Sequence, residues 1–474
     1  MRKLACSGLL FFLGFPGLVA SGQISTFQHV VIIVQENRSP DNLFQGLCIT
    51  PSSCSTKPTA AQYNIQTSNW VDFKQPTGII QPLPIPLANT YDLTHSHLAW
   101  NYQCRLNTGT GQCQMDGGYK IPCVGTCPTQ PQYRYVDNST GVVNPYLQLA
   151  TQYGWANYMY QTNQGPSYPA HQFLFGGTSA PGAADDAAGI YAADNWYHGP
   201  IPGCAAKAGT LVNLISPPGV ENSSMYPCFE HNTIPDILPT NVTWKYYTPG
   251  AGSIWTAPNS IYHICQPTAP TDGTCVGPVW KSNVSLNPTF ALKDIAKCAL
   301  PNLSWIIPTG QNSDHAGFNT GGGPAWVTSI INAIGQSTCK NPDGSSYWNS
   351  TAIVLTWDDW GGWYDHEPPI FLPQPQGDYQ YGFRVPLIVI SAYTKAGLID
   401  NNRHDFGSIL RFIEQNFGAT PGALGFADAR SSDALATFFN LKIAPRPFLP
   451  IAAAKSAADF LNDKTPPLPP DNDD

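Results

Sequence analysis

The sequence predicts an α/β fold on a mainly parallel sheet covered by helices on both faces. Three observations predict it. Residues 27–35 (FQHVVIIVQ), 351–356 (TAIVLT) and 385–391 (VPLIVIS) are β-branched runs without polar alternation, which suits strands buried on both sides. Helical segments fall between and after these runs, the arrangement that builds parallel sheets. The first two runs also end in acidic residues, Glu36-Asn37 and Asp358-Asp359, where open parallel sheets bind their ligands.

Taken in order, residues 1–20 read as an export leader. Arg2 and Lys3 precede the apolar run from Leu9 to Val19, and Ala20 and Ser21 offer small residues for cleavage. The run is shorter than the roughly 20 residues a bilayer span needs. Cleavage is therefore expected, with a secreted or periplasmic chain and no stable membrane anchor. The run 27–35 is the first strand. Residues 145–152 read as a helix leading into a strand over 155–160, and 325–336 as an amphipathic helix. The strands at 351–356 and 385–391 follow, then a helix over 408–416 (SILRFIEQN) stopped by Gly418. Residues 48–145 and 185–285, rich in Cys, Pro, Gly and Tyr, read as long insertions pinned by disulfides. The body 21–463 is one catalytic domain on this reading, and 464–474 (KTPPLPPDNDD) is a disordered tail.

Charge and cysteines narrow the class. Removing Arg2 and Lys3 with the leader takes the formal charge from −8 to −10, and only 11% of residues are charged. No Lys/Arg cluster exists, which argues against a nucleic-acid partner. Cys6 lies in the leader, and the remaining cysteines are even in number, as a disulfide framework in an exported chain requires. Cys48/Cys54, Cys104/Cys113 and Cys265/Cys275 are natural loop staples by proximity, although sequence alone does not fix connectivity. Cys123-x-x-x-Cys127 is also compatible with a zinc site, a reading the exported context disfavours.

Glu36, Asn37, Asp358 and Asp359 supply three carboxylates and an amide oxygen from two strand ends. Hard cations take such oxygens, and without a cation the carboxylates would repel one another. Turn and helix capping is the plainer alternative for each pair alone. Ser167 sits in Gly165-Pro166-Ser167 on a tight turn; if the turn opens a helix, it is either an N-cap or a hydroxyl at an anion-binding helix end. No Gly-x-Ser-x-Gly hydrolase elbow occurs anywhere in the chain. His95, His97, His263, His315, His366 and His404 lie in polar, turn-rich contexts, and Asp314-His315 and Asp365-His366 place a carboxylate beside an imidazole.

The segment Glu36-Asn37-Arg38-Ser39-Pro40-Asp41-Asn42-Leu43-Phe44 resembles the ENRSFDNYF signature of the bacterial phosphoesterase family, which holds phospholipases C and an acid phosphatase. Asp92-Leu93-Thr94-His95 with Asp116-Gly117-Gly118, Gly165-Pro166-Ser167, Thr233-Ile234-Pro235-Asp236 and Trp244-Lys245-Tyr246-Tyr247 match its further blocks in order. So do residues 260–264, 313–315, 357–366 and 382–386, and the likeness spans roughly residues 26 to 418. It implies an alkaline-phosphatase-like three-layer α/β/α sandwich and hydrolysis through a phosphoryl-enzyme. It also implies one or more divalent metal ions (Ca, Fe, Mn or Zn) on Glu36, Asn37, Ser167, Asp358 and Asp359. Ser167 would be the nucleophile, with His95, His263 and His315 about the phosphate. The expected substrate is a small phosphate ester or a phospholipid headgroup. Pro40 departs from the pattern, and Ser167 and Asp359 stand where the phospholipases often carry Thr and Glu, which leans the reading towards the acid phosphatase. A sulfatase or phosphomutase is a further alternative, but Ser167-Tyr168-Pro169-Ala170-His171 lacks the sulfatase Arg. A non-catalytic binding protein would have little use for the intact set.

Overall fold

The computed structural model describes residues 26–50, 52–195, 203–371 and 381–468, so the leader expected at 1–20 lies outside the described residues. Eight strands make the central sheet: β1 (His29–Gln35), β2 (Gly154–Tyr160), β3 (Trp244–Tyr247), β4 (Val284–Ser285), β5 (Leu303–Ile306), β6 (Thr351–Trp357), β7 (Leu387–Ser391) and β8 (Leu398–Asp405). Their order is β4-β3-β5-β1-β6-β7-β2-β8. Every residue of β1 and β6 is buried, which is why neither run alternates with polar residues.

All neighbours run parallel except at β7, which is antiparallel to both β6 and β2. The continuous apolar pattern of 385–391 suggested a parallel strand, and the structure corrects this. Strands β6 and β7 pair antiparallel, a pairing that needs no crossover helix. Because β7 reverses twice, β2 still points the same way as β6, and its end reaches the same edge of the sheet.

Helices cover the sheet in two groups. Helix α1 (Asn144–Gln152) packs with α3 (Gly323–Gly335), and α2 (Ser167–Gly176) packs with α4 (Phe406–Phe417). The α4 helix begins two residues before the expected start because Asp405 and Ser408 form a reciprocal capping box. It ends as expected at Gly418, whose φ of 82° places it in the left-handed region.

The first insertion carries four two-stranded ladders and a helix at His97–Cys104. The second is shorter than expected. Its early part forms a three-stranded antiparallel sheet, but β3 and β4 fall inside 185–285 and belong to the central sheet. Disulfides join Cys48–Cys54, Cys104–Cys113, Cys123–Cys127, Cys204–Cys228, Cys265–Cys275 and Cys298–Cys339. The Cys123–Cys127 bond consumes both thiols of the alternative zinc site. The start of the tail is held rather than free: the Leu468 N–H donates to Gln311 Oε1 at 2.8 Å, and Gln311 Nε2 donates to the Pro466 carbonyl at 3.1 Å.

Candidate active site

The site forms where the parallel strands end together. Gln35 pairs with Trp357, so the β1 and β6 register carries Glu36-Asn37 alongside Asp358-Asp359. All four side chains are fully buried. Asn37 has φ 60°, an uncommon conformation that costs about 1 kcal/mol for a non-glycine residue. It is stabilised by donating its backbone N–H to Asp358 Oδ1 at 3.0 Å. Gly361, at φ 63°, closes the turn after Asp358-Asp359; a Cβ there would collide with the Asn37 carbonyl. Its N–H donates to Asp359 Oδ1 at 2.7 Å, leaving Oδ2 directed at Ser167.

Ser167 is the first residue of α2, with Pro166 as the cap residue and no side-chain cap. Of the two readings left open by the sequence, the N-cap therefore falls away. The Oγ lies 3.2 Å from Asp359 Oδ2 and 3.5 Å from Glu36 Oε2. The preceding turn is clamped from within. Gln161 Nε2 donates to the Asn163 and Gly165 carbonyls at 2.8 and 3.0 Å, while its Oε1 accepts the Trp360 N–H at 3.1 Å. One amide thus ties the serine turn to the Asp358-Asp359 turn.

Two of the expected histidines face this cluster. His95 Nδ1 donates to the Leu93 carbonyl at 2.8 Å, and its Nε2 meets the Asn37 amide nitrogen at 2.7 Å and lies 3.9 Å from Asp359 Oδ2. The His315 ring stands 5.9 Å from that of His95, and its Nδ1 donates to the Ala316 carbonyl at 2.8 Å. His263 is not brought to the cluster. It is part-exposed on a short helix between Glu230 and Asp236, 2.9 and 3.2 Å away. Its hydrogen bond to the Asp236 carboxylate raises its pKa, as a surface ion pair would.

His171 was missed by sequence reading. It lies one turn after Ser167 on α2, so both side chains face the cluster. Its Nε2 is 3.2 Å from Glu36 Oε1 and 3.7 Å from Asp358 Oδ2. The Ser-x-x-x-His spacing was the available signal.

The cluster fits a cation. Asn37 Oδ1 and Asp358 Oδ2 are buried and accept no hydrogen bond from the protein, an outlay rarely tolerated without a ligand. Without positive charge, burial first and then Asp358 push Glu36 well above the usual carboxylate range, and burial pulls His171 down to about 4. Glu36, His171 and Asp358 each direct a ligating atom to one spot, within 4.8 Å of one another.

The other Asp-His pairs serve the scaffold. Asp314 turns from His315 and accepts Tyr146 OH at 2.9 Å and Trp357 Nε1 at 3.1 Å. Asp365, with Asp41 and His366, forms a second possible cation group. There the Arg384 guanidinium already provides the charge, with bonds of 2.9 and 3.0 Å to Asp365 and an approach of 3.7 Å to Asp41.

Comparison with known proteins finds several similarities. Phospholipase C A of Mycobacterium tuberculosis is 24% identical over 485 residues, covering 90% of this chain and 79% of that protein. Non-hemolytic phospholipase C of Burkholderia pseudomallei is 29% identical over 233 residues, but the match spans only 32% of its length and 39% of this chain. The solved structure of a protein in the alkaline phosphatase superfamily from Vibrio parahaemolyticus superposes with a TM-score of 0.32 at 11% identity, covering 60% of this chain and 63% of that one. The sequence model of the Phosphoesterase family matches residues 27–420. The chain belongs to the phosphoesterase family.

Proposed function

We propose that this site hydrolyses phosphoric esters with Ser167 as the nucleophile. The observation that carries the reading is the placement of Ser167 Oγ at the start of α2, hydrogen-bonded to Asp359 inside a buried carboxylate cluster. Glu36, Asn37, Asp358 and Asp359, with Ser167 beside them, would hold a divalent cation, which would supply Lewis acidity at the serine hydroxyl. Asp359 Oδ2 receives the Ser167 proton as the Oγ–phosphorus bond forms and the ester P–O bond breaks. His315 gives the leaving oxygen its proton from Nε2, its Nδ1 being committed to Ala316. His95 lines the phosphate site and, through Nε2, orients the Asn37 amide. Water then cleaves the phosphoserine, its proton returning to His315 as Ser167 takes back its own from Asp359.

The relatives named phospholipase C make a phospholipid headgroup diester one substrate class for this chain. Ser167 and Asp359 support an acid-phosphatase-like monoesterase as the other. Export fits the disulfides that pair every described cysteine. No helix among the described residues is long and apolar enough to cross a membrane.

The test is hydrolysis of an aryl phosphate and an aryl phosphocholine by wild type and Ser167→Ala. Ser167→Ala is expected to fold normally and lose at least about 10³-fold in kcat on whichever ester the wild type cleaves. A Ser167→Ala protein of near wild-type activity rules out the nucleophile.

A further inference from the structure

The hydrogen bonds around His171 fix more than its position. Tyr246 OH donates to the Trp255 carbonyl at 2.7 Å, which uses its only proton. Toward His171 Nδ1, 3.3 Å away, the phenol oxygen can then only accept. Nδ1 therefore carries the ring proton, and Nε2 of the neutral ring presents a bare lone pair. That lone pair points at Glu36 Oε1 and Asp358 Oδ2, both acceptors as carboxylates, at 3.2 and 3.7 Å. Three ligand atoms thus converge on one fully buried spot, within 4.8 Å of one another. Asp358 Oδ2 accepts no hydrogen bond from the described residues and is left open toward this spot.

We propose that His171 is a nitrogen ligand of the cation, held in its ligating tautomer by Tyr246 and Trp255, and that this nitrogen makes the site select zinc or iron over calcium. The inference rests on the metal-dependent reading above and adds a ligand and a metal class to it. Calcium takes oxygen ligands almost exclusively, whereas imidazole suits zinc and iron. The carbonyl of Trp255 orients Tyr246, and Tyr246 orients the imidazole. This is the outer-sphere support that ligating histidines usually have. Tyr246 is thus a positioning residue, reached from β3, while His171 comes from α2. The inference makes the helix behind the nucleophile part of the metal site.

The test is metal binding by the chelator-treated full chain, independent of turnover. Co²⁺ and Zn²⁺ affinities are measured for wild type, His171→Gln, His171→Ala and Tyr246→Phe, with Ca²⁺ in competition, and the visible Co²⁺ spectrum is recorded. Loss of His171 is expected to weaken Co²⁺ and Zn²⁺ binding by about 10- to 100-fold and alter the Co²⁺ bands. Ca²⁺ binding should stay nearly unchanged, and Tyr246→Phe should weaken Zn²⁺ about tenfold or less. X-ray absorption of Zn²⁺-loaded wild type should show imidazole scattering, a readout that needs no variant to fold. Unchanged Zn²⁺ affinity in both His171 variants, no imidazole in the absorption spectrum, or preference of wild type for Ca²⁺ would each overturn the inference. If metal binds and Ser167 remains essential, the proposed function survives that failure. If wild type binds no divalent metal, both fall.

Discussion

Asp41, Asp365 and His366 form one buried group of two carboxylates and an imidazole, and Glu36, Asp358 and His171 form another. In the first, Arg384 reaches across from the segment before β7 and makes a bidentate pair with Asp365. Its side chain is itself buried, and its remaining donors go to the Asn64 and Asn157 carbonyls at 2.9 and 2.7 Å. His366 is occupied on both nitrogens, by Asp41 at 2.7 Å and Asn64 at 3.0 Å. In the second group no Arg or Lys among the described residues makes an ion pair with any of the three, and Asp358 Oδ2 accepts no hydrogen bond. Similar side chains thus make a closed structural network in one place and a cation-seeking cradle in the other. The presence of a built-in counter-charge separates the two.

The largest effect is expected where that counter-charge is removed. Arg384→Leu should strand Asp41 and Asp365 and cost about 3–5 kcal/mol of unfolding free energy in urea titrations. A loss below about 1 kcal/mol would mean that Arg384 does not neutralise this group.

A third cluster holds its counter-charge in titratable form. His404 lies 3.2 Å from Asp400 and 3.6 Å from Asp433. Burial works against its proton, but the hydrogen bond to Asp400 and the nearby charge of Asp433 raise its pKa from 6.5 to about 9. A raised pKa stabilises the fold fully below the unfolded value and loses that contribution as pH climbs to the folded value. Wild type should therefore lose on the order of 3 kcal/mol between pH 6.5 and 9. His404→Gln should lack that slope in denaturation curves taken across the range. A parallel slope in the variant would assign the pH dependence elsewhere.

The smallest effect is expected at the cradle itself. In chelator-treated protein, Asp358→Asn removes one of several repelling charges and should leave stability unchanged or raise it by about 1 kcal/mol. A loss as large as that of Arg384→Leu would show that the two groups are not electrostatic opposites.

Much of this contrast was legible in sequence and part was not. The strand-end residues Glu36, Asn37, Asp358 and Asp359 could be placed because buried parallel strands announce themselves by unbroken apolar runs, and their C-terminal edge follows from topology. Ser167 was found through its Gly-Pro turn. The direction of β7 was hidden because a strand covered on both faces reads the same whether parallel or antiparallel. The strands β3 and β4 were lost in an apparent insertion, being four and two residues long. His171 was overlooked because its helix is buried on every side, so no polar stripe marks the face that meets the cluster. His263 carried a motif resemblance but no spacing constraint, and the fold pairs it with Glu230 and Asp236 instead. Asp365 gave no hint of its partner because Arg384 lies 19 residues further along the chain.

The central claim is that the Glu36–Asp358 cluster is completed by a divalent cation. Equilibrium dialysis of the chelator-treated full chain against Mn²⁺ or Zn²⁺ tests it most directly, with Asp358→Asn and Arg384→Leu alongside. The account predicts at least one tightly bound ion in wild type and in any folded fraction of Arg384→Leu, and its loss in Asp358→Asn. Wild type that binds no ion, or Asp358→Asn that binds as tightly as wild type, would contradict it.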